Sequence, residues 1–330
     1  MNFSLVICTY MRPQPLLSLL NSVAYQTVYP DEILIIDGSR DNDSRLVVEN
    51  KAFKNVIYYQ VNDQNRGLTK QRNFGIKKVN KNSEIICFLD DDTVLDKHYF
   101  QELLITYQKY PEALGVGGYI TNEVKWQRKT LPLSSKKYYF EDWERLEPLR
   151  FRIRKLFGLL PDKPPGYFPE FSHGRSVSFI PPTGKIYKVQ QLMGGVSSFK
   201  KEIFRNIKFS SYFEGYGLYE DADFTLRLSK LGQLYLNTAA QLEHHHSGSG
   251  RPNQFKYGKM VARNGWYVWR VAYPKPRLKN KLKWHLTFII LTNLRFLNVL
   301  STEKRMSSLS EALGRCFGWL TLFINKPRLR

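Results

Sequence analysis

Short apolar, β-branched runs alternate with amphipathic stretches through the first half of the chain, and each run breaks into polar residues at its carboxyl end. SLVICTY is followed by Pro13, suited to a first helical turn, and then by Leu16, Leu17, Leu20, Val23 and Ala24 at the spacing of one helix face. EILIID, NVIYYQV and EIICFL read as three further strands, and LTKQRNFGIKKV behind Gly67 as a further helix. This rhythm predicts βαβ units, hence an α/β fold with a mostly parallel sheet flanked by helices. Ligands of such sheets bind beyond the carboxyl ends of the strands, where Thr9, Asp37 and Asp90 all stand.

The fourth strand runs into FLDDDTVLD. Three adjacent aspartates at the end of a buried strand repel one another beside a low-dielectric core, at a cost that a cation removes. A divalent ion held by one or two carboxylates plus substrate phosphates suits that arrangement, which points to Mg²⁺ or Mn²⁺ as cofactor. One aspartate would suffice to cap a helix after Leu95, and the alternating aspartates and glycine of a calcium-binding helix–loop–helix are absent.

Three weaker signals accompany it. In YEDADFTLRL, Glu220 and Asp221 fall at a helix start, where the dipole favours carboxylates, while Asp223 and Arg227 are i,i+4 partners with a structural role. Phe224, Leu228 and Leu231 should face inward, with Gly232 ending the helix before the strand QLYLNTAAQLE. In LEHHHSGSGR, His244 and His246 lie two apart and would share one side of an extended segment, either as transition-metal ligands or as a surface cluster. In NDQNRGLTKQRN, Gly67 could bring backbone N–H groups to a phosphate, and Arg72 could add charge.

The stretch 125–190 changes character: aromatics, Lys, Arg and Pro crowd together without a clean period. It reads as a long insertion with one helix near 141–158, of the kind that forms functional loops or lids. With 42% hydrophobic and 14% aromatic residues, the chain has ample material for a core and is not a disordered one. Cys8, Cys87 and Cys316 form no paired motif, and the opening MNFSLVICTYMRP lacks the plan of a signal peptide, so a cytoplasmic protein is expected. The net charge of +21 is uneven, since 17 Lys and Arg face two acids from Arg251 onward. The same quarter, 251–330, carries the apolar run WHLTFIILTNLRFLNVL and a second cluster from Cys316 to Ile324, both too short to span a bilayer. This C-terminal basic, apolar helical extension reads either as an interfacial element, peripheral on the cytoplasmic face of an anionic membrane, or as helices packed on the domain with solvated charges.

Taken in order, VICTYMR, EILIID, NRGLTKQRN, the DDD run, MGGVSSFKKEIF and YEDADFTLRLSKLG followed by histidines resemble glycosyltransferase family 2, whose members have the Rossmann-like GT-A fold. The resemblance runs from Val6 to about Arg251 and implies a catalytic domain over 1–250, divided at 1–124, 125–190 and 191–250. It implies an inverting enzyme that takes a nucleotide-diphospho-sugar donor and a saccharide or lipid-linked hydroxyl acceptor, as in surface polysaccharide or glycolipid synthesis, with no nucleic acid partner. Thr9, Tyr10, Arg12, Asp37, Gly67, Arg72, Asp90 and Asp91 would then bind the nucleotide sugar, with Thr9 and Asp37 on the base and ribose. Asp92 with a histidine, His244 before His246, would hold the metal. Asp221 would be the general base, with Glu220 orienting the acceptor. The chain departs from the pattern at Ile36-Asp37-Gly38, where many relatives carry two acids, and it lacks the QxxRW motif of processive synthases. Two other classes compete. A sugar-phosphate nucleotidyltransferase would need a Gly-rich loop where CTYMRPQP stands, and a basic nucleic-acid-binding protein would leave the acidic run without a purpose.

Overall fold

The computed structural model describes residues 1–213, 216–246 and 253–329. The chain divides into two compact units, Met1–Lys125 with Ile180–Gly250, and Trp126–Phe179 with Arg251–Arg330. The stretch expected as one insertion is therefore split at 179/180, and most of it belongs with the C-terminal helices. The boundary expected at 250/251 lies outside the described residues.

The first unit opens with β1 (Phe3–Thr9), α1 (Pro13–Ala24), β2 (Glu32–Asp37), α2 (Asp43–Lys51), β3 (Val56–Gln60), α3 (Leu68–Lys78) and β4 (Ile85–Asp90). These follow the alternation in the sequence, with Pro13 at the start of α1, and only α2 had no forecast. Short β5 (Thr93–Leu95), α4 (Tyr99–Lys109) and β6 (Gly115–Ile120) come next. The second unit begins with β7 (Gln127–Arg128), β8 (Lys137–Phe140), β9 (Trp143–Leu146) and α5 (Leu149–Leu156). The helix expected near 141–158 is thus confined to its second half. Alternating residues in KYYF and WERL pair instead as strands of a three-stranded antiparallel sheet. The chain returns to the first unit through β10 (Ile186–Val189), β11 (Val196–Lys200), α6 (Glu220–Leu228) and β12 (Leu234–His244). It ends in α7 (Gln254–Ala272), α8 (Leu278–Ser301) and α9 (Arg305–Ile324).

Among the described residues the first unit forms a nine-stranded sheet, ordered β10-β12-β6-β11-β4-β1-β2-β3, with β5 paired to β12. The half from β4 to β3 is parallel, as the alternation predicts. The other half is mixed, because β11 enters antiparallel between β4 and β6. One sheet face buries Leu5, Ile7, Ile33 and Ile35 against Leu16, Leu19, Leu20 and Val23 of α1 and Tyr99, Phe100 and Leu103 of α4. Each such large side chain contributes about 1.5–3 kcal/mol on leaving water. Elsewhere in the unit Phe88, Phe199, Phe204, Phe209 and Phe224 form an aromatic cluster, with Phe209 and Phe224 stacked at 4.2 Å. Phe224 and Leu228 point inward as expected, whereas Leu231 lies past the end of α6 and is 65% exposed. Cys87 is buried, and burial pushes the Cys8 thiol up to about 12, so both act as small apolar groups.

In the second unit α7 and α9 touch backbone to backbone. A Cβ on Gly258 would run into the Glu311 carbonyl oxygen, and one on Gly314 into that of Phe255. Gly258 and Ala262 lie four apart on α7, Gly314 and Gly318 four apart on α9, so each helix presents a smooth strip to the other. Buried Glu311 closes this end of α9, with Arg295 of α8 at 2.7 Å and Arg315 at 2.6 Å. Because backbone rather than a flexible side chain blocks the added atoms, Gly314→Leu should destabilise the unit by about 3 kcal/mol in urea denaturation. Leu313→Ala, on an exposed neighbour, should leave the midpoint within experimental scatter.

Candidate active site

The acidic run lies at the carboxyl end of β4, with Asp90 the last strand residue and Asp91 and Asp92 in the turn that follows. Asp91 turns inward. Thr9 Oγ1 donates to its carboxylate at 2.7 Å, and Arg12 Nη1 lies 3.0 Å from it. Burial pushes this carboxyl up to about 6, against the pull of Arg12 and Thr9. Arg12 Nη1 also lies 3.3 Å from Asp92, and Asp90 and Asp92 meet the end of β12. His244 Nε2 is 3.0 Å from Asp92 Oδ1, and one ligand atom each from Asp90, Asp92 and His244 lie within 4.8 Å of one another. The β5–β12 pairing, with Thr93 opposite His244, and the bond from His245 N to the Asp92 carbonyl hold the two segments in register. Burial alone would lower the His244 pKa, but Asp92 and Glu123 together raise it to about 10. Two carboxylates and an imidazole gathered on one side of a strand end fit Mn²⁺ or Mg²⁺, with imidazole favouring the former.

Beneath this group lies Arg72, projecting from α3. Gly67 starts that helix with φ 114°, a conformation that costs a side chain dearly. The Arg72 guanidinium is 2% exposed and stacks over Phe209 at 5.2 Å. It holds Glu220 Oε1 at 2.5 Å and Asp90 Oδ1 at 3.4 Å. Burial works against its charge, yet the two carboxylates more than compensate and raise its pKa overall. Glu220 starts α6, and burial pushes its carboxyl up to about 8 in spite of Arg72, with Asp221 and Asp90 adding repulsion. Asp221, less buried, accepts from Ala222 N at 2.7 Å, and burial raises its pKa as well. The turn into α6 uses left-handed backbone at Gly217 and Tyr219, local strain of the kind that gathers at functional sites. Gly194 and Gly195 admit the chain between these carboxylates. A Cβ on Gly195 would strike the Asp90 carboxylate, and one on Gly194 would meet Glu220 and Arg72.

The structure thus brings Arg12, Arg72, Asp90, Asp91, Asp92, Glu220, Asp221 and His244 together, with Arg72 facing the acidic group as expected, and shows which protein partners the other expected residues have. Asp37 is fully buried, with one carboxylate oxygen accepting from Ser39 N and the other from the Tyr58 hydroxyl, so it locks the turn after β2. The Thr9 hydroxyl is likewise committed, to Asp91. Arg72 pairs with carboxylates in the interior, and the Gly67 N–H is taken by the Gln71 side chain. His246 sits outside the Asp90–Asp92–His244 group, its Nε2 2.9 Å from Glu123. Tyr10 stays at the surface. The Asp223–Arg227 pair forms as foreseen, at 2.6 Å. Two participants carried no sequence signal that stood out. Glu123 is a solitary acid after β6, and Gln71 ties α3 to the Thr9 and Ile36 carbonyls.

The family model described as Glycosyl transferase family 2 matches residues 4–169, just over half of the chain. The chain belongs to glycosyl transferase family 2. A second model, the N-terminal domain of galactosyltransferase, matches residues 174–244. A relative from Haloferax volcanii, glucosyl-dolichyl phosphate glucuronosyltransferase, is 29% identical over 121 residues, 36% of this chain and 38% of that protein. The crystal structure of GalNAc-T7 with UDP, GalNAc and Mn²⁺ is similar in fold at TM-score 0.53 and 17% identity, covering 80% of this chain and 48% of that one. The chain therefore spans less than half the length of either protein, and its α/β fold is of the GT-A kind.

Removing Arg72 from this family 2 site would strand Glu220 and Asp90 in the interior. Arg72→Met should cost about 3–5 kcal/mol of stability, as for other broken buried pairs. Arg72→Met combined with Glu220→Gln should recover more than about 1 kcal/mol in a double-mutant cycle. Additive losses would show that the two groups do not act on each other.

Proposed function

We propose that this glycosyltransferase moves a sugar from a nucleoside-diphosphate donor to an acceptor hydroxyl with inversion, using a divalent cation. The observation that carries the reading is the gathering of Asp90, Asp92 and His244 beside Asp221 across the Gly194–Gly195 passage. When bound, the cation supplies positive charge to the departing diphosphate. The rest falls to the chain's own groups. Arg12 balances Asp91 and Asp92, and Arg72 balances Glu220 and Asp90, so the acidic site stays folded before any ligand arrives. Asp221 takes the proton of the acceptor hydroxyl as its oxygen bonds to the anomeric carbon and the bond to the diphosphate breaks opposite. A carboxyl with a raised pKa is a stronger base for that transfer than an ordinary one. Glu220, committed to Arg72, fixes the start of α6 and so orients Asp221.

Hydrolysis of UDP-, GDP- and dTDP-sugars with Mn²⁺ or Mg²⁺ tests the donor and the metal. One donor class should turn over, and excess EDTA should stop it; full turnover in EDTA rejects the metal. Asp221→Asn should lower kcat by about 10²–10⁴-fold while donor affinity stays close to wild type, since a base acts in the chemical step. Near-normal turnover in this variant would leave Asp221 a helix-start residue only.

The acceptor we favour is lipid-linked, and the second unit supplies the reason. Along α8, Leu278, Leu282, Leu286 and Ile289 form an exposed stripe at helical spacing, and along α9 so do Leu313, Phe317, Leu320 and Ile324. The patch continues through the Phe255–Phe317 contact at 5.7 Å and the His285–Phe323 stack at 5.7 Å, while Lys259 caps the Phe317 ring at 5.2 Å. Among the described residues no helix is long and apolar enough to cross a membrane. Exposed leucines and phenylalanines ringed by lysines suit an anionic bilayer surface, where each basic residue adds about 1 kcal/mol. The Haloferax relative, whose name joins a glucuronosyltransferase to glucosyl-dolichyl phosphate, supports the same acceptor class. The protein should co-sediment with phosphatidylglycerol vesicles at low salt and less at high salt. Leu282→Glu with Phe317→Glu should release it without loss of donor hydrolysis, and absence of binding at either salt rejects membrane docking.

A further inference from the structure

Glu123 stands at the head of the segment that leaves β6, on the opposite side of His244 from the aspartates. Its Oε1 lies 3.2 Å from His244 Nδ1, while His244 Nε2 lies 3.0 Å from Asp92 Oδ1. The neighbouring Asn122 holds the backbone of the same histidine from both directions, Nδ2 donating to the His244 carbonyl at 3.1 Å and Oδ1 accepting from His244 N at 2.9 Å. Two consecutive side chains thus fix one residue, the first its main chain and the second its ring. His246 closes the arrangement, with Nε2 2.9 Å from the same Glu123 oxygen and its ring 4.1 Å from that of His244.

We propose that Glu123 is a positioning residue, whose carboxylate keeps the one ring proton of neutral His244 on Nδ1 and so presents the Nε2 lone pair to a divalent cation beside Asp90 and Asp92. This rests on the metal reading above. A neutral imidazole has one nitrogen able to bind a metal, and which one it is depends on where the other nitrogen's proton is held. A carboxylate on Nδ1–H fixes the tautomer, stops ring rotation and makes Nε2 the more basic ligand. His246 belongs to this outer layer, since it bonds to Glu123 and lies outside the Asp90–Asp92–His244 group. The competing arrangement, a separate cation among Glu123, His244 and His246, would draw Nδ1 away from its proton and Nε2 away from Asp90 and Asp92.

The test is binding of Mn²⁺ alone to the full chain, followed by the loss of the free-ion EPR signal, with spin-echo modulation to report nitrogen coupling. Wild type should bind one ion with coupling from one imidazole. Glu123→Leu should bind about 10–100-fold more weakly, as second-shell losses do elsewhere, and Glu123→Gln, whose amide oxygen can still accept from Nδ1–H, should fall between the two. In donor hydrolysis the Mn²⁺ concentration for half-activation should rise by the same factor, with kcat at saturating Mn²⁺ nearly unchanged, a split that general loss of structure would not give. Unchanged Mn²⁺ affinity in Glu123→Leu overturns the proposal, and should that variant not fold, unchanged affinity in the isosteric Glu123→Gln does so. Two ions per wild-type chain, one of them lost in both Glu123→Leu and His246→Ala, overturns it in favour of a separate site. No binding by wild type instead removes the metal reading, and this proposal with it.

Discussion

A single buried guanidinium makes the rest of the acidic site possible. Arg72 lies under carboxylates contributed by two distant parts of the chain, Asp90 at the end of β4 and Glu220 at the start of α6. Without it the strand end and the helix start would repel each other across a low-dielectric gap, and the helix carrying Asp221 would have no reason to dock there. Its own burial is made tolerable by the aromatic floor of Phe88 and Phe209 and by two ionic partners. The pair specifies an arrangement more than it adds stability: an apolar pair of equal volume could fill the space, but it would not hold two acids at the mouth of the sheet.

The half of the fold that the sequence reveals is the half governed by local rules. Strands β1 to β4 and helices α1 and α3 follow from hydrophobic period, a proline at a helix start and polar breaks at strand ends, while α2 does not. Strands β8 and β9 escape because KYYF and WERL carry aromatics and charges on both sides, which leaves no contrast for a two-residue period to show. The grouping of 126–179 with the last three helices escapes for another reason: contacts between segments about a hundred residues apart leave no trace in either segment.

The site shows the same division. The DDD run could be recognised because three adjacent charges at a strand end are costly anywhere. Which partner each takes depends on Thr9, Arg12, Arg72 and His244, and only the folded chain brings these beside the run. Asp37 illustrates the converse. An acid at a strand end invites a ligand, yet each Asp37 oxygen also accepts a bond within the fold, from Ser39 N and from Tyr58 on the next strand over. Glu123 had no motif at all, because its importance lies in facing a histidine 121 positions later.

The antiparallel insertion of β11 has a consequence for the order of events in the cell. Because β11 enters next to the end of β4, the glycines that pass Asp90 come more than a hundred residues after it, and the histidine beside Asp92 is later still. During synthesis at about 5–20 residues per second, the acidic strand end waits several seconds or more before Glu220 and His244 emerge from the ribosome. Throughout that interval β4 already has β1 and Arg72 for company, so the nascent chain carries its positive charge before its late carboxylates arrive. Assembly of the site is therefore a late event that reports completion of the whole sheet, and a chain released before β12 would keep its nucleus of parallel strands but never bring the two halves of the site together.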